Sequence, residues 1–468
     1  MVDVVIAGAG PVGCFLAREL RLAGAQVVVL EAEKMRSPYS KALTMNSRSL
    51  ELLQMRGLAE RFMREGVLLP TAHYAVLDTR LALAPLDTKI PYTLALAQRR
   101  TEELLEAAAR EFGAEFRFAH AVSALHHDEG GVEVHVRSAD EGDYIVRARY
   151  VVGCDGARST VRSSAGISFP GTDATMTAFQ GDARLAQPPT VTAIVNERGG
   201  MMMLRQADGS FRVVIVDPTR MHIPKECPPA EEELRDAMRR IAGTDFGLTE
   251  TLWLSRFGNA TRQAASYRKG RIFLAGDAAH IHFPAGGQGM NVGLQDASNL
   301  GWKLGAVLRG AAPEALLDTY HDERHPIGAD VLENTRAQEA LIGFTPQIAA
   351  LRATLAELLT APEANRRLAE KVTGIGIDYG RDRAHPWVGR RLPDLPTTDG
   401  ASAFQRMHAG HFLLLDGGVE NASQLVEPWM DRITVAHADV AGVRPGLENA
   451  GAILVRPDGH VAGVLNAH

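Results

Sequence analysis

Excess positive charge, cysteine and long apolar runs are all scarce in this chain. Lys and Arg number 50 against 56 Asp and Glu, a net charge of -6, so nothing draws the protein to nucleic acid or to an anionic membrane surface. The three cysteines, Cys14, Cys154 and Cys227, are scattered and share no metal-ligand spacing, which suits a reducing compartment. No run approaches the roughly 18 apolar residues of a membrane span. The apolar opening MVDVVIAGAG lacks the basic flank of a signal peptide and reads as a first β-strand. These absences predict a cytoplasmic protein with neither nucleic-acid nor membrane partners.

What is present is ordinary in bulk and specific in detail. A chain of 468 residues with 46% hydrophobic and 23% charged residues is long enough for two or three domains. Residues 2–7 form an apolar run interrupted only by Asp3, as in a strand buried on both faces of a parallel sheet. Gly8, Gly10, Val12 and Gly13 follow in a GxGxxG turn that opens a helix reaching about Ala23. A second strand over 27–30 ends at Glu31, an acid at the distance needed to bond a ribose hydroxyl. This strand–turn–helix–strand–acid order predicts dinucleotide binding.

A second glycine-rich stretch lies at 271–305. It reads as a strand over 272–275, a polar turn at Gly276 and Asp277, a loop over 283–289 and a helix from about Met290. Gly286, Gly287 and Gly289 carry no Cβ, so backbone can lie against a flat ligand. A helix starting there aims free N–H groups and its positive dipole end at that ligand, which favours an anion such as a reduced flavin. Asp277 is placed to accept from a polyol such as a ribityl chain. A third element, the strand 150–154 followed by Asp155-Gly156-Ala157-Arg158, is a strand-to-helix turn.

Between these, residues 67–97 alternate short apolar runs with Pro70, Pro85 and Pro91, predicting strands of a second, mostly antiparallel sheet inserted into the first domain. Gln98 begins a helix. Residues 116–122, 132–137 and 144–149 read as an antiparallel flap. Runs over 190–196, 199–205, 210–217 and 253–262 predict the large sheet of a middle domain, with Asp208-Gly209 as a hairpin turn. Met201, Met202 and Met203 in one strand are either core packing or a soft wall against a bulky ligand. Ile348, Leu351, Leu355, Leu358 and Leu359 have helical spacing and mark a packing helix. Residues 375–395 read as a Gly/Pro/Arg-rich linker, and 412–415, 433–437, 452–455 and 461–465 as strands of a tail.

The segments Gly276-Asp277-Ala278-Ala279-His280, Pro284, Gly286-Gly287-Gln288-Gly289-Met290-Asn291 and Asp296-Ala297, with the GxGxxG and Asp155-Gly156 motifs, resemble the class A (single-component) FAD-dependent aromatic monooxygenases. Within that family the polyketide-tailoring and rifampicin-monooxygenase-like branch is the nearest in pattern. The resemblance implies an α/β fold: a Rossmann-like FAD-binding domain over 1–175, with part of the substrate sheet inserted at about 67–97. A substrate-binding β-sheet domain over 176–262, a return of the FAD domain over 263–375 and a thioredoxin-like C-terminal domain over 376–468 complete it. That tail has no cysteine, so thiol redox chemistry is excluded and packing or dimer formation is its expected role.

The resemblance also implies non-covalent FAD, NADPH or NADH as reductant, O2 as co-substrate, and hydroxylation of a bulky aromatic through a flavin C4a-hydroperoxide. Baeyer–Villiger or antibiotic-inactivating oxygenation on the same scaffold is the second reading, and a non-catalytic FAD-binding protein that holds an unstable intermediate is the third. It assigns FAD contacts to Gly8, Gly10, Val12, Gly13, Glu31, Lys41 (where the family usually has arginine), Arg48, Gln98, Val122, Asp155, Gly156, Asp277, Pro284, Gly287, Gly289, Met290 and Asn291, with Pro284 and Gly289 lining the ring. Arg158 is the candidate for the NAD(P)H phosphates. Met201, Met203, Arg205 and Phe283 are the substrate candidates. No metal is expected, His280 and His282 reading as structural, and the protein is expected to be a monomer or homodimer. A single GxGxxG leaves no separate nicotinamide domain.

Overall fold

A computed structural model describes residues 1–206, 208–380, 385–419 and 431–467. The first sheet is built as its apolar runs dictate. β1 (Val2–Ala7), β2 (Val27–Glu31) and β3 (Glu115–Phe118) run parallel, with α1 (Pro11–Leu22) crossing from β1 to β2. Val4, Val5 and Ile6 are fully buried, each contributing about 1.5–3 kcal/mol of apolar burial. Two short helices lie on the way, α2 (Ser47–Gln54) and α3 (Gln98–Glu111).

The single strand expected over 116–122 is two strands. Ala119, at φ 63, breaks it, and β4 (His120–His127) leaves to pair with β5 (Val132–Ser138) in an antiparallel flap. Conversely, the two strands expected over 144–149 and 150–154 are one. β6 (Tyr144–Gly153) runs antiparallel to β5 at its start and parallel to β1 at its end, so one continuous strand joins flap and core.

Residues 67–97 do not join the large sheet. They form a three-stranded unit with Thr44–Met45 and a separate hairpin, Thr71–Ala72 with Leu81–Ala82. The prolines within this stretch keep its strands to two or three residues.

The large sheet contains β7 (Thr177–Leu185), β8 (Ala193–Asn196), β9 (Gly199–Arg205), β10 (Phe211–Val216) and β11 (Leu248–Gly258), in the order β8-β9-β10-β7-β11 and antiparallel throughout. α4 (Glu231–Ala242) covers one face: Leu234, Met238 and Ile241 pack with Phe179, Met201, Met203 and Ile215. The other face turns to the first sheet, where Arg212 of β10 donates to Ser40 O at 2.6 Å and Trp253 of β11 stacks on Tyr39 at 5.6 Å.

The chain then returns through β12 (Ile272–Leu274), parallel to β6, giving the core order β12-β6-β1-β2-β3. Helices α5 (Gln288–Leu308), α6 (Asp318–Ala340), α7 (Pro346–Leu358) and α8 (Pro362–Thr373) follow. Of the apolar stripe expected on α7, Leu359 is buried but Leu351 and Leu358 are exposed, so the helix packs by one edge. Residues 375–395 are not a loose linker where described, since Arg391 is buried and binds Glu51 and the carbonyls of Ile375 and Asp87. The tail sheet holds β13 (Phe412–Asp416), β14 (Ile433–His437), β15 (Ala450–Val455) and β16 (Val461–Asn466) in the order β14-β13-β15-β16, with the β13–β14 pair parallel. No helix among the described residues is long and apolar enough to cross a membrane.

Candidate active site

Three turns meet at the C-terminal ends of β1, β6 and β12, beside the point where strand order reverses, the crevice in which open α/β sheets bind ligands. In the first turn Gly8 takes φ 100, and a Cβ there would strike the Cys154 carbonyl. Gly10 faces open space, with no atom within 4 Å of a Cβ position, and it caps α1 without a side-chain hydrogen bond. The first-turn N–H groups of α1 are therefore presented around a hollow, which suits a pyrophosphate. Glu31 Oε2 accepts from Ala9 N at 2.7 Å, fixing the turn against the acid that ends β2. The Val12 side chain lies 3.0 Å from a Cβ position on Gly276 and 2.5 Å from one on Gly293, so it packs between the first and second fingerprints.

Arg36, which sequence reasoning passed over, is central here. It donates to Ala9 O at 2.7 Å and to Glu102 at 3.0 Å. Glu102 accepts from Gln98 at 2.8 Å, and Gln98 accepts from Ala42 N at 2.9 Å. A chain of polar contacts thus runs from the glycine turn to the segment holding Lys41, whose side chain is exposed. Arg36 follows an acid-ended strand in a Ser/Pro loop, a weak signal beside the glycines. Val122 lies half-buried opposite Val136, next to an irregularity in the β4–β5 register.

In the second turn Asp155 Oδ2 accepts from Val161 N at 3.0 Å, while its buried Oδ1 has no hydrogen-bond partner among the described residues. Burial pushes its pKa up. Gly156 takes φ 78 and faces open space, and Arg158 is exposed.

The third turn is held from behind. Gly276 N donates to Asp296 Oδ2 at 3.1 Å, and the same carboxylate pairs with His280 at 2.8 Å and Arg324 at 2.7 Å, all of them buried. Burial alone would raise the Asp296 pKa, but Arg324 and His280 outweigh it and hold the carboxyl below its usual range. Asp277, one residue on, is exposed at the crevice. Phe283 is buried against Met176 and Ala285 and lies 5.9 Å from the Phe257 ring of β11, so it joins the loop to the large sheet. Pro284 is exposed. Gly286 and Gly287 take φ 67 and 62, and a Cβ on Gly287 would sit 2.5 Å from Thr44 Oγ1. α5 starts at Gln288, earlier than the expected Met290, with Gly287 as a cap that offers no side-chain bond. Gly289 and the half-buried Met290 occupy its first turn.

Several expectations need correction. Arg48 is buried away from the crevice, bound to Glu51 at 2.9 Å and to Asp458 O of the tail at 2.5 Å, so its guanidinium is engaged at a domain junction. The Asn291 side chain binds Asn46 N, Thr44 O and Gly287 O; it braces the loop, leaving its backbone as the part able to meet a cofactor. Met201 and Met203 share a strand face with Arg205, and that face packs on α4. Arg205 is exposed at its end. Met202, one residue out of phase, shares the opposite face with Val214 and Arg212. The register therefore puts Met202, and neither Met201 nor Met203, on the face opposite α4.

That opposite face borders a cavity of about 870 Å³ lined by Ala193, Val195, Val76, Leu77, Phe344 and Arg352, among others. Ala193 pairs with Met202 across β8 and β9, so the cavity lies at the edge strand of the large sheet, and none of the crevice residues described above lines it. Its wall includes Val76, which with Ala75 forms a turn at φ 48 and 53, a strained conformation for residues with a Cβ. Arg352 holds both carbonyls and Gln338 Oε1 accepts from Ala75 N.

Comparison with known proteins agrees with this geometry. Residues 1–335 match the FAD binding domain family and residues 385–467 match the aromatic-ring hydroxylase C-terminal family. The chain is 45% identical to a 12-dehydrotetracycline 5-monooxygenase/anhydrotetracycline 6-monooxygenase of Streptomyces rimosus, covering 98% of this chain and 94% of that protein. It is 44% identical to a rifampicin monooxygenase of Streptomyces venezuelae, covering 98% and 95%. The solved structure of an anhydrotetracycline hydroxylase from Streptomyces rimosus superposes with a TM-score of 0.91 at 44% identity, covering 99% of this chain and 96% of that one. With a glycine cradle, two uncapped helix starts and an exposed aspartate in one crevice, the chain belongs to the FAD-dependent aromatic monooxygenases, as an enzyme that uses FAD.

Proposed function

We propose that the protein hydroxylates a bulky, polycyclic aromatic of the polyketide or antibiotic kind, with NADPH or NADH as reductant and O2 as oxygen donor. The observation that carries this is the cavity of about 870 Å³ at the edge strand of the large sheet, in the upper range of small-molecule sites and larger than a single phenol ring requires. Bound FAD supplies the redox chemistry; the chain's own residues bind, orient and exclude water.

The uncapped starts of α1 and α5 and the hollows at Gly10 and Gly156 fit the pyrophosphate and ring of FAD, and Asp277 fits its ribityl hydroxyls. Glu31 faces the ribose, and Lys41, Gln98 and Val122 complete the contacts on the adenosine side of this reading. Pro284, Gly287, Gly289, Met290 and the Asn291 backbone flank the ring. Arg158, exposed beside the second turn, is the cation for the phosphates of NAD(P)H. Substrate lies between Phe283 and Phe257 on one side and Met202 and the 75–76 turn on the other. The first sheet reads as Rossmann-like, and the tail's strand order supports a thioredoxin-like domain, with divisions at about 175, 262 and 375.

A screen of polycyclic phenols and quinones for stimulated NAD(P)H consumption, followed by product analysis under labelled O2, tests the proposal. One labelled oxygen in a hydroxyl group is expected; no labelled product from any compound that stimulates consumption overturns it. The 44% identity to a rifampicin monooxygenase favours a second reading, oxygenation that inactivates an antibiotic, which the same product analysis separates.

A further inference from the structure

His282 stands beside the loop that the reading above gives to the flavin ring, and its hydrogen bonding fixes its tautomer. Nδ1 lies 2.7 Å from the Phe283 carbonyl. A carbonyl only accepts, so Nδ1 carries the proton, and in the neutral ring Nε2 carries a lone pair. Nε2 is also the atom nearest to where a Cβ on Gly289 would sit, at 3.7 Å. Gly289 lies in the first turn of α5, which has no side-chain cap. The proton-accepting edge of the imidazole therefore faces a positive helix end.

Two effects keep this imidazole neutral in the resting protein. Burial lowers its pKa, and the N-terminal end of a helix repels a cation. The titratable groups around it are His280 and Asp277 on its own segment. Behind His280 stands Asp296 of α5, paired with it and with Arg324 of α6. A negative charge arriving at the start of α5 would reverse the balance, because a full anionic charge beside Nε2 favours the imidazolium and outweighs the partial positive charge of the helix end.

We propose that His282 is a redox-linked proton acceptor: when FAD at the start of α5 is reduced, His282 Nε2 takes up one proton. The hydride from NAD(P)H brings two electrons and one proton to the flavin ring, leaving it with one negative charge; the further proton comes from solvent and resides on Nε2. The imidazolium neutralises the charge in place, and reoxidation releases the proton.

The reduction potential of the FAD-loaded protein, measured by spectroelectrochemistry from pH 6 to 9, tests this without any substrate. Each proton taken up with an electron pair adds about 29.6 mV per pH unit to the slope. Over at least one pH unit the wild-type slope should exceed that of His282→Asn by this amount; asparagine retains a donor for the Phe283 carbonyl but has nothing to protonate. Superimposable slopes overturn the proposal. His282→Gln serves if the asparagine variant loses FAD. If neither variant holds FAD, proton release to an indicator dye on anaerobic reoxidation of the photoreduced wild type by ferricyanide, which takes electrons without protons, decides, about two per flavin supporting the proposal and about one overturning it. The inference rests on FAD lying at α5; failure of that reading shows separately, as wild-type protein that does not retain FAD.

Discussion

The FAD-binding unit is covered from two sides, and the two covers are built on opposite principles. On the tail side, charged groups are buried and paired. Arg56 binds Glu19 at 2.7 Å and Pro457 O at 2.9 Å, Arg456 joins Glu323 at 2.7 Å, and Trp302 and Asn299 both donate to Asp458. On the large-sheet side the joint is sparse, with Arg212 donating to the carbonyls of Ser40 and Lys41 and two aromatic contacts, Trp253 with Tyr39 and Phe257 with Phe283. Groups left without protein partners, such as exposed Asp277 and the open glycine hollows, lie at the crevice. A closed, paired interface is scaffolding, and an open one with polar groups facing a crevice is where ligands bind.

Breaking the closed side should cost most. Arg56→Met leaves buried Glu19 with Arg18 as its remaining cation and strips the Pro457 carbonyl of its donor, a loss of about 3 kcal/mol in denaturant unfolding. Acid attacks the same junction. Burial pushes His460 down to about 4, more than the neighbouring Asp458 offsets. The unfolded chain, with an ordinary value near 6.5, then binds the proton that the folded one refuses. Stability is therefore present above about pH 6.5 and falls as pH drops toward 4, by on the order of 3 kcal/mol. Thermal melts across that range, with His460→Gln showing a flatter profile, check the sign.

The open side should respond in ligand binding instead of stability. Asp277→Ala is expected to weaken FAD binding by roughly 1.5–3 kcal/mol with little change in the melting of the apoprotein; titration by flavin fluorescence measures it. Substrate should accelerate anaerobic flavin reduction by NAD(P)H at least about tenfold, about 1.4 kcal/mol in the barrier. The reductant must reach a ring that is later shielded from water, and stopped-flow reduction with and without substrate reads the ratio. The smallest effect is at Lys41. Arginine there should preserve or improve activity by restoring a two-pronged phosphate contact, and alanine should raise the FAD or NAD(P)H concentration needed for half-maximal rate.

The same contrast explains what the sequence disclosed. The crevice is made by backbone, and backbone needs leave marks: glycines where a Cβ would collide, an acid ending β2, apolar runs for buried strands. The tail junction is made by side chains from segments hundreds of residues apart, such as Arg48 with Asp458 and Arg391 with Glu51, and no local pattern announces such partners. Arg48 therefore read as an FAD contact. The methionines stayed open between core packing and a ligand wall for another reason. Both faces of the large sheet are covered, so alternation alone could not say which face meets α4, and a one-residue phase decided between Met202 and its neighbours. Arg212 could have decided it, since a charge inside the apolar strand FRVVIV needs a partner such as Asp182. Ala119 and the 75–76 turn carry no glycine, so their positive φ values left no trace.

Cysteine placement bears on how long such an enzyme survives its own work. An oxygenase that reduces its flavin without productive turnover sheds hydrogen peroxide, and thiolates are its first protein targets. Cys14 lies behind the glycine turn beneath Arg36, its thiol pushed up to about 12 by burial, and burial likewise raises Cys154 at the end of β6. Both stay protonated and poorly nucleophilic close to the flavin site. Exposed Cys227, on the loop before α4, is left as the accessible thiol. Oxidative damage should therefore collect there, where a sulfenic or sulfonic acid would register peroxide exposure before the cofactor cradle is touched.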